Sequence, residues 1–244
     1  MNIISWNLNH RTLEKRIPDE TIEFFRLKNA DIIILNEYVD GPSRALFKES
    51  LRNLGYIYQQ ISHRLGNSNQ LYIASKHEIH VGDLVAPQMD DSSKCNFLHV
   101  TFPTQNVEIV GFRAPCYTKA TTKKLYWSLF HSIMNSASDR SICFIGDVNN
   151  DPFYKQPEGT AEVMLKEATA YRVPNPEGEW SYKSINGKHT SRIDHAYLSP
   201  SVSSNNPEYI TTYKGITLAG SKTDNPVTDH AAYSIEIWNT HSPK

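Results

Sequence analysis

Apolar residues in this chain come in short runs cut by turn residues, and the runs are of two kinds. Continuous or alternating stretches rich in Ile, Val and Phe predict strands at 2–8, 32–35, 56–61, 70–75, 79–84, 96–102 and 107–112. Four more follow at 142–145, 193–198, 208–213 and 231–238. Helical spacing predicts a helix over 13–27 (Leu13, Ile17, Ile22, Phe25) and one over 44–54 that closes on Gly55. A third spans 118–134 with a stripe at Leu125, Leu129 and Ile133, and a fourth lies near 160–168. No fixed-period repeat, low-complexity tract or linker-like break separates them. Many strands punctuated by a few helices predict an α+β fold: two packed sheets with helices outside, in one domain over 1–240 with 241–244 as a tail.

Composition narrows the class. At 244 residues and 39% apolar content the chain can bury a sizeable core. The 25 basic residues against 26 acidic ones exclude a protein that coats nucleic acid through bulk charge, while leaving room for a local basic groove. Cys95, Cys116 and Cys143 lack metal-type spacing, and their odd number fits reduced thiols and a cytoplasmic location. Cys143 sits in an apolar strand and reads as inert core. No basic leader is visible and no apolar run approaches the length of a membrane span, so a stand-alone catalytic domain with no membrane or obligate protein partner is expected.

The chemistry lies where strands stop. Residues 142–145 form an apolar run that ends in Gly-Asp-Val-Asn, which puts Asp147 and Asn149 at the exposed edge of a sheet. The same grammar, an apolar strand followed by an acid, amide or base, recurs along the chain. It gives Asn7 and Asn9 in Ser-Trp-Asn-Leu-Asn, Glu37 in Ile-Leu-Asn-Glu-Tyr, and Arg113 in Val-Gly-Phe-Arg-Ala-Pro. It also gives Asp194 in Ser-Arg-Ile-Asp-His and the pair Asp229-His230 in Val-Thr-Asp-His. Strand alternation puts Asn7 and Asn9 on one face, and places His195 on the face opposite Asp194 as a packed histidine. Rigid strand ends carrying acid and amide oxygens suit a hard cation and an activated water.

This ordered set, from Asn7 to His230, resembles the endonuclease/exonuclease/phosphatase family, also called the DNase I-like fold. The resemblance implies a four-layer α/β sandwich of two mixed sheets flanked by helices. It also implies divalent-metal-dependent hydrolysis of a phosphate ester, with Mg²⁺ as cofactor and Mn²⁺ able to substitute. Glu37 then matches the metal ligand, with Asn7, Asn9 and Asp229 in support. Asp147 matches the group that orients or deprotonates the attacking water, and Asn149 holds that water or a phosphate oxygen. His230 matches the histidine on the scissile phosphate, with Asp194 orienting it. Arg113 stands where one branch of the family has tyrosine, and its fork reads as a clamp on the phosphate. Trp180 and Lys119 are candidate substrate contacts. The expected substrate is nucleic acid, DNA before RNA, with a small-molecule or lipid-headgroup phosphate ester as the alternative.

Overall fold

The computed structural model describes residues 1–11, 16–66, 68–151 and 170–241. The expected helix near 160–168, the first residues of the expected helix at 13–27 and the last three of the tail lie outside them. In chain order the elements are β1 (Asn2–Arg11), α1 (Asp19–Lys28), β2 (Ile32–Tyr38), α2 (Ala45–Asn53), β3 (Tyr58–Ile61), β4 (Gln70–Ser75) and β5 (His80–Val81). There follow α3 (Asp91–Cys95), β6 (Phe97–Phe102), β7 (Val107–Arg113), α4 (Ala120–Ser136), β8 (Ile142–Asp147), and a ribbon of β9 (Tyr182–Lys183) and β10 (Thr190–Ser191). Then come β11 (Asp194–Leu198), β12 (Val202–Ile210), a second ribbon of β13 (Thr212–Tyr213) and β14 (Ile216–Thr217), and β15 (Ala232–Asn239).

Six strands form one sheet in the order β12-β15-β1-β2-β4-β3, and five form another in the order β11-β8-β7-β6-β5. Each holds one parallel pair, β1 with β2 and β7 with β8, among antiparallel neighbours. Alternation along each strand explains the layering. Ile3, Ile32, Ile34 and Ile73 meet Ile109, Cys143 and Ile145 between the sheets. Ile4, Trp6, Leu8, Ile33 and Leu35 turn the other way, onto Phe24 and Phe25 of α1 and Phe47 and Leu51 of α2. Val110, Phe112, Ile142 and Phe144 turn outward onto Tyr126, Trp127, Phe130 and Met134 of α4. Both faces of the central strands β2, β4 and β8 are therefore buried, which is why they read as unbroken apolar runs. The result is the expected four-layer sandwich.

Several local readings differ. The stripe on α4 is Tyr126, Phe130 and Met134 with Trp127, whereas Leu125 is 53% exposed. The two rows are one residue apart on the helix, and the bulkier aromatic row fills the space over β7 and β8. The expected strand at 79–84 keeps only two residues. Beyond it Leu84 N donates to the ring Nδ1 of His99 instead of to a neighbouring strand. Helix α3 was not expected; a capping box between Asp90 and Ser93 starts it. Among the described residues no helix is long and apolar enough to cross a membrane.

Candidate active site

Strand register assembles the polar residues. Asn7 pairs with Asn36 across β1 and β2, Arg113 with Asp147 across β7 and β8, and Asp147 with Asp194 across β8 and β11. Inner-facing side chains of the two sheets then meet at one end of the sandwich. Asn7 Nδ2 donates to Asp147 Oδ2 at 2.9 Å and so bridges the sheets. Asp147 Oδ1 accepts from the backbone N–H of Asn149 at 2.9 Å, and Asn149 Nδ2 lies 3.3 Å from Oδ2 while donating to Ala114 O at 2.6 Å. Gly146 lets β8 come this close to β7: at φ +153°, a Cβ there would stand 1.8 Å from the carbonyl oxygen of Phe112.

On the other side of Asp147, His230 Nδ1 and Asp194 Oδ2 are 3.0 Å apart, both residues buried. Trp6 Nε1 donates to the backbone carbonyl of His230 at 2.7 Å, fixing its chain from beneath. Arg113 Nε stands 2.7 Å from Glu37 Oε1 and 3.5 Å from Asp147 Oδ2. Its N–H is not aligned on either oxygen, so these contacts are ionic rather than hydrogen-bonded.

Burial and charge set the protonation states. Burial, together with the facing Asp194, pushes Asp147 up to about 6, against the opposing pull of His230 and Arg113. Burial disfavours the imidazolium of His230, but the charge and hydrogen bond of Asp194, with Asp147 and Asp229, outweigh it and raise His230 to about 9. At His195, in contrast, burial outweighs the carbonyl of Arg192 and the charges of Asp194 and Asp151 and lowers it to about 4. Its Nε2 meets the carbonyl of Arg192 at 2.7 Å, the packed histidine that alternation predicts.

Three site residues do not follow simple alternation. Asn9, Glu37 and Asn149 have φ of +53°, +52° and +50°. Each sits where its strand loses register or has just ended, so Asn9 does not continue the face of Asn7, although its N–H donates to Asn7 Oδ1 at 2.8 Å. Asp229 is half-buried beside His230, with Thr228 Oγ1 3.2 Å from its Oδ1. Trp180 packs partly buried against the inter-sheet core with Lys183 Nζ 5.8 Å over its ring, and Lys119 is the exposed N-cap of α4.

The site also draws in Asn36 and Ser181, which the sequence did not single out, together with Tyr182, an aromatic that could stack on a base. Asn36 Oδ1 is buried without a hydrogen-bond partner, one residue from Glu37. Ser181 Oγ accepts from the N–H groups of Ile193 and Asp194, and its carbonyl accepts from Ala231 N–H, tying the β9–β10 ribbon to both members of the Asp194–His230 pair. Tyr182 packs on His230 with ring centroids 5.1 Å apart. For Asn36 the signal was visible in the Asn-Glu pair that breaks the apolar run of β2, whereas a serine in a loop carries none. Elsewhere, Asp83, His99 and Glu108 bring ligand atoms within 4.8 Å of one another. Arg140 closes that group with contacts to both acids, so it is an ion-pair network at the far end of β7.

A sequence model of the endonuclease/exonuclease/phosphatase family matches residues 4–230. The chain belongs to that family. Solved structures of the same fold include a 3′ phosphatase from Neisseria bound to a product DNA hairpin, with TM-score 0.70, 16% identity and coverage of 97% of this chain and 98% of that one. An AP endonuclease from Archaeoglobus fulgidus gives TM-score 0.72 and 14% identity over 97% and 98%. A beta toxin variant from Staphylococcus aureus with bound magnesium ions gives 0.63 and 15% over 96% and 98%. No curated protein sequence matches the chain.

Enzymes of this family act on phosphate esters and use divalent metals. The donor set here suits such an ion. The carboxylate of Glu37, the neighbouring carboxamides and the unpartnered Asn36 Oδ1 are all hard oxygen donors. Carboxylate and carboxamide oxygens of this kind suit a hard divalent cation that keeps part of its water shell.

Proposed function

We propose that this protein is a Mg²⁺-dependent phosphodiesterase, and that its substrate is nucleic acid, DNA before RNA. The observation that carries the reading is the buried Asp194–His230 pair facing the Asp147–Asn149–Asn7 network across adjacent strands. It supplies a cation for a phosphate beside a carboxylate for a water, the two needs of in-line phosphoryl hydrolysis.

Glu37, with Asn7, Asn9 and Asp229 in support, would hold the metal. When bound, the ion neutralises charge on the phosphate oxygens. Asp147 orients the attacking water and takes its proton; a carboxylate at about 6 is ionised at neutral pH yet more basic than an exposed aspartate. Asn149 holds the water or a phosphate oxygen. His230 stands as imidazolium beside the scissile phosphate, and Asp194 keeps it there in charge and in orientation.

The preference for DNA rests on the cations at the cleft rim. Lys119, Lys123 and Lys124 crowd the start of α4, just after the Arg113 loop, and the β9–β10 ribbon carries exposed Lys188 beside Lys183, which pairs with Asp224 at 3.2 Å. The DNA hairpin held by the Neisseria relative points the same way. Three free cysteines fit a cytoplasmic enzyme, with residues 1–240 acting as one catalytic domain. The test is purified protein with Mg²⁺ or Mn²⁺ on plasmid, single-stranded DNA, RNA, a phosphomonoester panel and a choline phosphodiester. Cleavage of a polynucleotide that falls steeply with salt is expected. Turnover confined to the small esters would reject the nuclease reading and select the alternative.

A further inference from the structure

Arg113 enters the cleft from the last position of β7 with only 15% of its side chain exposed. Its Nε faces carboxylates from both sheets, Glu37 at 2.7 Å and Asp147 at 3.5 Å. Burial works against its charge, while Glu37 and Asp147 hold it firmly cationic. A guanidinium does not give up its proton in water at any working pH. The site thus contains a permanent cation placed against the acid that the reading above assigns to the metal.

We propose that Arg113 is the internal counter-cation of Glu37 and competes with the divalent metal for that carboxylate, so that metal binding and release of the guanidinium toward a phosphate are linked. The inference rests on Glu37 being the metal carboxylate. A guanidinium at ion-pair distance engages the same oxygen a hard cation needs, and its charge repels a dication nearby. Once the charge of Glu37 is shared with an ion, its hold on Arg113 weakens. The next anion within the cleft is the phosphate, which the planar fork can grip with two N–H groups. Coupling of this kind is reciprocal: metal tightens the phosphate, and phosphate tightens the metal.

The test needs no turnover. Metal-stripped protein is titrated calorimetrically with Mg²⁺ alone, in wild type, Arg113→Met and Arg113→Lys. Arg113→Met is expected to tighten Mg²⁺ binding by about tenfold or more, and Arg113→Lys by less, because a point charge remains. Arg113→Met leaves two buried acids uncompensated and puts the fold at risk, so a second measurement uses wild type. The Nε–Hε resonance of Arg113 is followed by ¹⁵N NMR as Mg²⁺ is added. It is expected to shift and to exchange faster with water as the ion pair opens. Equal or weaker Mg²⁺ binding in a folded Arg113→Met, or an Nε–Hε signal unmoved at saturating Mg²⁺, overturns the counter-cation role alone. Wild type that binds no Mg²⁺ at all overturns the metal assignment of Glu37, and this inference with it.

Discussion

Asp194→Asn separates the charge of the Asp194–His230 pair from its shape. The carboxamide has the volume of the carboxylate and can still meet His230 Nδ1, which now lies 3.0 Å from Asp194 Oδ2. What it lacks is the largest of the charges that together outweigh burial and lift His230 from 6.5 to about 9. That difference corresponds to roughly 3 kcal/mol in favour of the imidazolium. Without it, burial is opposed only by the charges of Asp147 and Asp229, and His230 moves down from about 9. Once His230 titrates below the working pH, each further unit of that move costs about tenfold in protonated fraction. In wild type, kcat/KM at saturating metal should rise through about pH 6, as Asp147 ionises, and fall through about pH 9, as His230 deprotonates. In Asp194→Asn the alkaline limb should move to lower pH, with a loss of activity that deepens toward about pH 9. Stability follows the same sign. A raised histidine contributes fully below about 6.5, and that contribution disappears as pH climbs through about 9. The melting temperature of wild type should therefore drop over that interval more steeply than that of the variant. An alkaline limb at the same pH in both proteins would refute the reasoning, since another group would be setting it.

Three further outcomes are expected. Asp147→Asn should lower kcat by about a hundredfold or more while the melting temperature holds or rises, because a buried charge has been removed; a near-normal rate removes Asp147 from the water-activating role. Glu37→Gln should shift the Mg²⁺ dependence of cleavage to higher concentration with little change in DNA affinity measured without metal, and an undisturbed Mg²⁺ titration would exclude it as a ligand. Gly146→Ala puts a methyl group against the Phe112 carbonyl and should cost about 2 kcal/mol or more in denaturant unfolding, along with most of the activity, by prising β8 from β7; unchanged stability would mean the backbone yields there at little cost.

The layers were legible because physics writes them twice. Strands buried on both faces must be apolar throughout, and those runs are visible without coordinates, as at Ile32 to Leu35 and Ile142 to Ile145. The polar residues at their ends were legible for the same reason, since a strand that stops being apolar has reached the edge of the sandwich. The face of α4 was less legible. Leu125 and Tyr126 belong to adjacent helical rows, and only the space over Phe112 and Phe144 decides which row is buried. Ser181 and the pairing of Arg113 with Glu37 were hidden altogether, the first because a loop serine carries no pattern and the second because it joins two sheets that meet only in three dimensions.

Side-chain direction within the site was the hardest quantity to read, and the backbone explains why. Alternation holds only while φ stays in the extended region, and Asn9, Glu37 and Asn149 all leave it. Asparagine enters the left-handed region at little cost, which accounts for two of the three. Glutamate does not, so at Glu37 the fold spends on the order of 1 kcal/mol to break the β2 ladder between Leu35 and Tyr38. Had β2 continued regularly, the residue after the inner-facing Asn36 would have turned outward, onto the layer that holds Leu35 and Tyr38 beneath α1 and α2. The positive φ instead leaves the carboxylate 2.7 Å from Arg113 of the opposing sheet. Strain at that one residue is thus what converts a strand end into half of an inter-sheet site.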